Sequence, residues 1–564
     1  MTGAAKRKPQ THPSDTDLSQ GEAKRSPAAL RTRLVMLGMT VLFSCVAGQL
    51  ARLAASPSPE MVAAITEPMA RSYVRPDILD RGGRLLATDI EMPSLFADPS
   101  QVQGIDDVTE RLGPVLPDLQ QGELRRLLAS RDRRFVWIRR GIAPKVAQQI
   151  HDLGLPGFDF RMELRRAYPL ERLAGHVLGS VNVDNRGSSG IERTIDETIG
   201  VEPTLGAPSN AGVPVRLSID LGAQHSLEDE LASAMVRYES KGAAGLVMDV
   251  RTGEILASSS LPGQDPARAS EVLDPGRLDK IQGGTYELGS IFKTLTVAMA
   301  LDSGKAKLDT VLDVTKPLTA GKYTIKDFHP VGRPLTVSEV FLHSSNVGSG
   351  MLALAEGVEA QKAFLAKLGL MREMRTEVGP VAAPQLPKQF GRAEQITVAY
   401  GHGLAVAPIQ FAAAAAAMVN GGRAVTPTYF RRRSDAPPGN RIISAETSRS
   451  LCGLLRRNVS ERGGTGLRAD VPGFRVGGKT GTAEMPGRGG YQEKSVVSSF
   501  LAAFPMDDPQ YLVLILIFEP KGNSESGGEV LAGRNAAPTA GRVITRIAPL
   551  LGVKPDGDVA TVLP

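Results

Sequence analysis

Ser290 and Lys293 stand three residues apart at the head of an apolar segment, a pairing able to do covalent chemistry. Gly289 permits a tight turn, and Ile291, Leu295, Val297, Ala298 and Leu301 dominate a segment of good helix formers, so Ser290 is predicted at a helix start. There its hydroxyl lies near backbone N–H groups without intrahelical partners, at the positive end of the helix dipole, where developing negative charge is favoured. Lys293 falls on the same face. A serine is a poor nucleophile at neutral pH, and a lysine kept neutral by burial and positive surroundings can take its proton. Two further polar clusters follow. Ser344, Ser345 and Asn346 close an apolar run, and Lys479, Thr480, Gly481 and Thr482 interrupt strand-like sequence ahead of Glu484. Singly, each has a plain structural reading: Ser290 as an N-cap, Asn346 as a turn residue, Lys479 as a solvated strand end, Thr480 as a β position.

In this order the three clusters carry more. Ser-x-x-Lys, Ser-x-Asn and Lys-Thr-Gly form the signature set of penicillin-binding proteins and serine β-lactamases. The chain resembles that family, and the stretches 286–293, 344–348 and 479–484 look like its class B members. Leu288 stands where proline is usual, which alters the loop entry and no reacting group. The resemblance implies roles residue by residue. Ser290 would attack the carbonyl of the penultimate D-alanine of a peptidoglycan stem peptide while Lys293 accepts its proton. Ser344 would relay that proton to the leaving D-alanine, and Asn346 would hydrogen-bond Lys293 and the substrate amide. Lys479 would supply positive charge near Ser344. Thr480, Gly481 and Thr482 would form the substrate-binding strand, the two hydroxyls gripping the carboxylate. The backbone N–H groups of Ser290 and Thr482 would form the oxyanion hole. The amine of a second stem peptide would then resolve the acyl-enzyme into a cross-link.

These residues need a rigid frame. The stretch 244–258 alternates around a turn at Arg251, Thr252 and Gly253, and apolar runs at 496–504 and 511–518 flank a turn at Asp507, Asp508 and Pro509. This predicts an antiparallel sheet buried on both faces, covered by helices at 408–420, stopped by Gly421 and Gly422, and at 538–551. The expected fold is α+β: a single N-terminal transmembrane helix, an elongated pedestal over 70–215, and a penicillin-binding, serine β-lactamase-like transpeptidase domain over 216–554 whose antiparallel sheet is sandwiched by helices. The turn at Asp80, Gly82 and Gly83, the stretch Arg165, Arg166, Tyr168 and Pro169, and the stretch from Gly187 to Glu192 resemble pedestal motifs. Between them, 101–155 reads as amphipathic helices with Leu112, Leu116, Leu119, Leu124, Leu127 and Leu128 on the apolar face. Arg133, Arg134, Arg139 and Arg140 read as a solvated face.

With 564 residues, 42% hydrophobic, the chain has room for two or three domains. The net charge of +6 is partly gathered in Lys6, Arg7, Lys8, Lys24, Arg25, Arg31 and Arg33, so it calls for no nucleic acid partner. Residues 1–33 lack apolar periodicity and are expected to form a disordered cytoplasmic tail. Residues 34–53 follow as a transmembrane anchor: the 18 residues from Leu34 to Ala51 span roughly 27 Å as a helix, and the basic side is N-terminal. A cleaved signal peptide would have a shorter leading segment and an Ala-x-Ala site, and a lipoprotein cysteine at Cys45 would need a small residue in place of Phe43. Cys45 and Cys452 are not expected to pair, and the seven histidines, His176, His343 and His402 among them, show no ligand spacing, so neither metal nor other cofactor is predicted. Residues 555–564 are expected to fray.

No paired-glutamate glycosyltransferase unit precedes the pedestal. Glu287 and Glu484 lie near the motifs, but neither is identified as the water-activating base a β-lactamase needs. Within class B, the stretches 502–509 and 518–520 and the absence of a long insertion before Ser344 look more like the division-specific (FtsI) type than the elongation type. That type implies an inner-membrane enzyme with a periplasmic catalytic domain, a division-associated, FtsW-like glycosyltransferase partner and other septal membrane proteins. The alternative from another class is a catalytically silent β-lactam sensor or scaffold on the same fold, against which the intact triad argues.

Overall fold

The computed structural model describes residues 27–55, 72–199, 202–204, 213–320, 323–432, 439–487 and 490–556. Two compact units divide the chain, residues 1–71 and 72–564. The first contains helix α1 (Pro27–Ala55), whose stretch Arg33–Arg52 is long and apolar enough to cross a membrane. Its large apolar side chains, Leu34 to Leu50, are exposed, a surface that an acyl-chain environment would cover. The helix starts at Pro27, ahead of the expected Leu34, so residues 27–33 are not unstructured tail. Proline fits the first helical position, and Ala28, Ala29 and Leu30 are strong helix formers. Residues 1–26 of the expected tail and 557–564 at the other end lie outside the described residues.

In the second unit, β1 (Leu85–Ala97) pairs antiparallel with β2 (Val136–Arg139) and along its length with β3 (Phe158–Ala167), Thr88 opposite Ala167 and Ala97 opposite Phe158. The turn before β1 forms because the buried Asp80 carboxylate accepts the N–H groups of Gly82 and Arg84, both at 2.8 Å. Helices Ile105–Leu112, Gln121–Ala129 and Pro144–Asp152 pack beside the sheet. Leu112, Leu116, Leu124 and Leu128 are buried there, with Leu119 and Leu127 partly so. Arg140 is no free solvated cation: it pairs with Glu163 at 2.7 Å and Asp184 at 2.8 Å.

The pedestal motifs meet in a buried knot of charge. Arg166 Nε donates to Glu192 Oε1 at 2.6 Å and Arg75 Nε to Glu192 Oε2 at 2.8 Å. Arg166 also reaches Asp89 at 3.2 Å, Arg75 pairs with Asp196, and the Tyr168 hydroxyl lies 3.3 Å from Glu192. Each cation faces a carboxylate, which makes burial tolerable.

Residues from 216 onward build the second half of this unit. Helix α2 (Leu221–Arg237) is capped by Asp220, whose carboxylate accepts Ala223 N–H at 3.0 Å. A hairpin of β4 (Gly242–Asp249) and β5 (Ile255–Leu261) follows. Then come α3 (Lys293–Asp302), α4 (Asn346–Glu356), α5 (Pro408–Val419) and α6 (Ala445–Ser460), strands β6 (Gly477–Gly487), β7 (Gly490–Phe504) and β8 (Tyr511–Phe518), and α7 (Ala536–Leu550). The five strands run in the order β5-β4-β8-β7-β6, each pair antiparallel. Along β8, Leu512, Leu514, Leu516 and Phe518 join the core shared with α3 and α5, while Val513, Ile515 and Ile517 join the core shared with α2 and α7. This is why its sequence is a continuous apolar run rather than an alternating one. Ala412–Ala417 of α5 are all buried. The edge strand β6 carries the third motif.

Candidate active site

The loop ahead of α3 is shaped by glycine. Gly289 has φ +58°, and a Cβ there would sit 2.6 Å from Thr482 O and 3.1 Å from Thr482 N. Gly481, opposite Ser499 on β7, has no room either: a Cβ would meet Leu288 O at 2.3 Å. The two glycines let the nucleophile loop and the edge strand touch backbone to backbone, bringing together the peptides of Ser290 and Thr482. Ser499 Oγ fixes this contact by donating to Leu288 O at 3.0 Å. A short 3-10 turn, Gly289–Phe292, carries Ser290 into α3, so the serine lies at the helix entry as its surroundings in sequence suggest.

Lys293 is the first residue of α3 and is fully buried. Its Nζ donates to Ser344 Oγ at 3.0 Å, to Asn346 Oδ1 at 2.7 Å and to the Ser344 carbonyl. Ser344 follows helix Val337–Leu342 and adopts φ +56°, left-handed for a non-glycine residue. Such a conformation costs of order 1 kcal/mol and persists where surrounding contacts fix it. Those contacts come from Asp327, whose carboxylate accepts Ser345 Oγ at 2.7 Å and the N–H groups of Asn346 and Val347 at 2.5 and 2.9 Å. Ser345 caps α4 by accepting Gly348 N–H at 2.9 Å, and Asp327, by taking the first two helix N–H groups, aims Asn346 at Lys293.

From the opposite side, buried Lys479 donates to the same Ser344 Oγ at 3.0 Å. One hydroxyl therefore bridges two buried lysine amino groups. Burial, reinforced by the neighbouring Lys479 charge, pushes Lys293 well below the usual lysine range, with Asp327 opposing. Burial brings Lys479 down to about 7. Thr480 and Thr482, two residues apart on β6, share a face. Thr480 Oγ1 donates to Thr465 Oγ1 at 2.6 Å, and Thr482 Oγ1 accepts Ala532 N–H at 3.2 Å.

Lys293, Asn346 and Lys479 thus meet around Ser344, and the Gly289–Thr482 approach lays the strand of Thr480 and Thr482 against the loop that carries Ser290. Sequence reasoning missed Asp327, Thr465 and Ser499, which belong to no local pattern. Asp327 could have been sought as a carboxylate shortly before the Ser344 turn; Thr465 and Ser499 leave no signal in the chain. Of the histidines, His176 is a structural link, its Nε2 2.7 Å from Arg277 O, and His402 lies beside the nucleophile loop. A groove of about 710 Å³ between α6 and the β7–β8 turn, lined by Arg251, Arg449, Arg456 and Asp507, contains none of the motif residues.

Chemically, the arrangement offers a serine at a helix entry, a lysine disposed to be neutral, a hydroxyl able to pass a proton between two nitrogens, and paired threonines beside a cation. Comparison with known proteins agrees with that reading. The family described as penicillin binding protein transpeptidase domain matches residues 243–540, and the penicillin-binding protein dimerisation domain matches 73–200. The chain is 39% identical over 497 residues to the probable peptidoglycan D,D-transpeptidase FtsI of Caulobacter vibrioides, covering 86% of this chain and 83% of that protein. It is 31% identical over 553 residues to the probable peptidoglycan D,D-transpeptidase PenA of Neisseria gonorrhoeae, with 93% of each covered. Among solved structures, the apo transpeptidase domain of Burkholderia pseudomallei penicillin-binding protein 3 superposes with a TM-score of 0.54 at 30% identity, covering 62% of this chain and 98% of that domain.

Proposed function

The chain belongs to the class B penicillin-binding proteins, and on that premise we propose that it is a serine-type peptidoglycan D,D-transpeptidase that cross-links stem peptides in septal wall synthesis. The observation that carries the reading is Ser344 Oγ held 3.0 Å from both Lys293 Nζ and Lys479 Nζ, beside Asn346. A neutral Lys293 accepts the Ser290 proton as Oγ attacks the penultimate D-alanine carbonyl. The oxyanion is received by the N–H groups of Ser290 and Thr482. Lys293 returns the proton through Ser344 to the nitrogen of the departing D-alanine, while Asn346 orients Lys293 and the substrate amide. Thr480 and Thr482, with Gly481 allowing the close approach between them, bind the terminal carboxylate, and Lys479 adds positive charge there. A β-lactam follows the same path into an acyl-enzyme that resolves slowly.

The same reading places α1 across the cytoplasmic membrane with the N-terminus inside and the catalytic domain in the periplasm. The cluster of Lys and Arg before Leu34 supports that orientation. It further proposes the FtsW-like glycosyltransferase and other septal membrane proteins as partners, by analogy with the division type. The test is labelling of the purified chain with a fluorescent penicillin: stable label in the unaltered chain and none in Ser290→Ala is expected. Label retained by the folded variant, or lost within minutes from the unaltered chain by turnover, would overturn the proposal.

A further inference from the structure

The loop 399–406 lies along the nucleophile loop like a second strand. Tyr286 and Val406 exchange both backbone hydrogen bonds, at 3.0 and 3.1 Å, and Gly289 N–H donates to Gly401 O at 3.2 Å. Gly403 N–H donates to Glu287 Oε1 at 2.8 Å, and Thr296 Oγ1 of α3 donates to Ala399 O at 2.7 Å. Gly401 has φ +88°, and a Cβ there would lie 2.0 Å from Gly289 O, so only glycine permits the approach. His402, between two glycines tied to the 287–289 segment, is thereby held against the nucleophile loop. None of these contacts is used in forming the acyl-enzyme.

We propose that His402 accepts the proton of the incoming amine in the second half-reaction, with Glu287 as the positioning residue that seats its loop against the nucleophile. This deepens the reading of the chain as a serine acyl-enzyme transpeptidase and rests on it. An amine acceptor arrives as an ammonium ion, ordinary pKa about 10, and has no lone pair until it sheds a proton. The charged groups facing His402 are Glu287 on the nucleophile loop, Glu484 on β6 and Lys293 on α3, with the Tyr400 ring 5.3 Å away. Burial lowers the imidazole pKa and Lys293 adds to this, while the two carboxylates oppose it. The ring therefore favours its neutral form more than a free imidazole does, and its protonated form has carboxylates and the Tyr400 backbone to meet it.

The step balances. The ammonium gives one proton to His402, and the freed nitrogen lone pair attacks the ester carbonyl. The new C–N bond forms, and the C–Oγ bond breaks with its electron pair returning to Ser290. Ser290 takes the second amine proton through Lys293, and His402 releases its proton to solvent.

The experiment uses the full chain in detergent, a D-alanyl thioester donor and D-alanine as the amine acceptor, reading transfer against hydrolysis, with fluorescent-penicillin labelling in parallel. For His402→Asn, labelling within about twofold of the unaltered chain and a drop of about tenfold or more in the transfer-to-hydrolysis ratio are expected. Glu287→Gln keeps an oxygen for the Gly403 N–H but removes a negative charge, lowering the His402 pKa. The rising limb of transfer against pH then moves to lower pH, whereas a merely structural role leaves its position unchanged. An unaltered ratio in His402→Asn overturns the inference alone, as does a parallel fall in labelling and transfer in a variant that melts like the unaltered chain. Absence of label in the unaltered chain overturns the transpeptidase reading and this inference with it.

Discussion

Two places in this molecule bury ionisable side chains, and they do so in opposite ways. In the pedestal, Arg75 and Arg166 are enclosed with Glu192 and flanked by Asp89 and Asp196. The carboxylates hold Arg166 firmly protonated against its burial. In the catalytic half, Lys293 and Lys479 are buried against one neutral hydroxyl and against each other, and both pKa values fall. Pairing converts buried charge into structure. Withholding a carboxylate partner leaves lysines whose pKa values lie below the ordinary range, as a proton-accepting base requires.

The contrast can be broken most severely at Lys293. Lys293→Met should reduce the acylation rate by benzylpenicillin about a thousandfold while leaving the melting temperature unchanged or raised, since the desolvation cost of a buried amine is removed. In the pedestal the reverse is expected. Glu192→Gln leaves two buried arginines facing less negative charge and should destabilise by about 3 to 5 kcal/mol, read by denaturant unfolding, with acylation per folded molecule unchanged.

A finer test uses pH. A lysine whose folded-state pKa lies below its unfolded value binds fewer protons when folded across the interval between the two. Stability therefore rises with pH through that window, by about 1.4 kcal/mol per unit for each such group. For Lys479 the window runs from about 7 to the ordinary 10.5. Lys479→Met should flatten its share of the rise in unfolding free energy, and an unchanged slope would contradict the lysine's depression. The smallest effect is expected at Thr465, which holds the Thr480 hydroxyl without meeting the reacting atoms. Thr465→Val should weaken penicillin acylation about fivefold, the worth of one hydrogen bond of roughly 1 kcal/mol.

The catalytic motifs were legible in the sequence because their residues sit in short segments whose spacing the backbone dictates: Ser290 and Lys293 within one helical turn, Ser344 and Asn346 around one bend, Thr480 and Thr482 on one strand face. The sheet was legible from the apolar runs of β7 and β8 and the turn residues between β4 and β5. What escaped was non-local. Asp327 shapes the Ser344 turn by holding Ser345, 18 positions further on, Ser499 reaches back across the chain to Leu288, and the charge knot draws on positions 75, 89, 166, 192 and 196. No periodicity links such residues, because only the folded chain makes them neighbours. The start of α1 at Pro27 was missed because charged residues before the apolar run masked good helix formers.

The most direct test of the central claim is a pH titration of lysine side chains by 13C NMR on selectively labelled protein, with the Lys293 resonance assigned from Lys293→Arg. A midpoint well below the ordinary 10.5 is the expected result, moving upward in Lys479→Met, where the neighbouring positive charge is gone. A Lys293 that titrates near 10.5 would be an ammonium at working pH, and the base assigned to Ser290 would be contradicted.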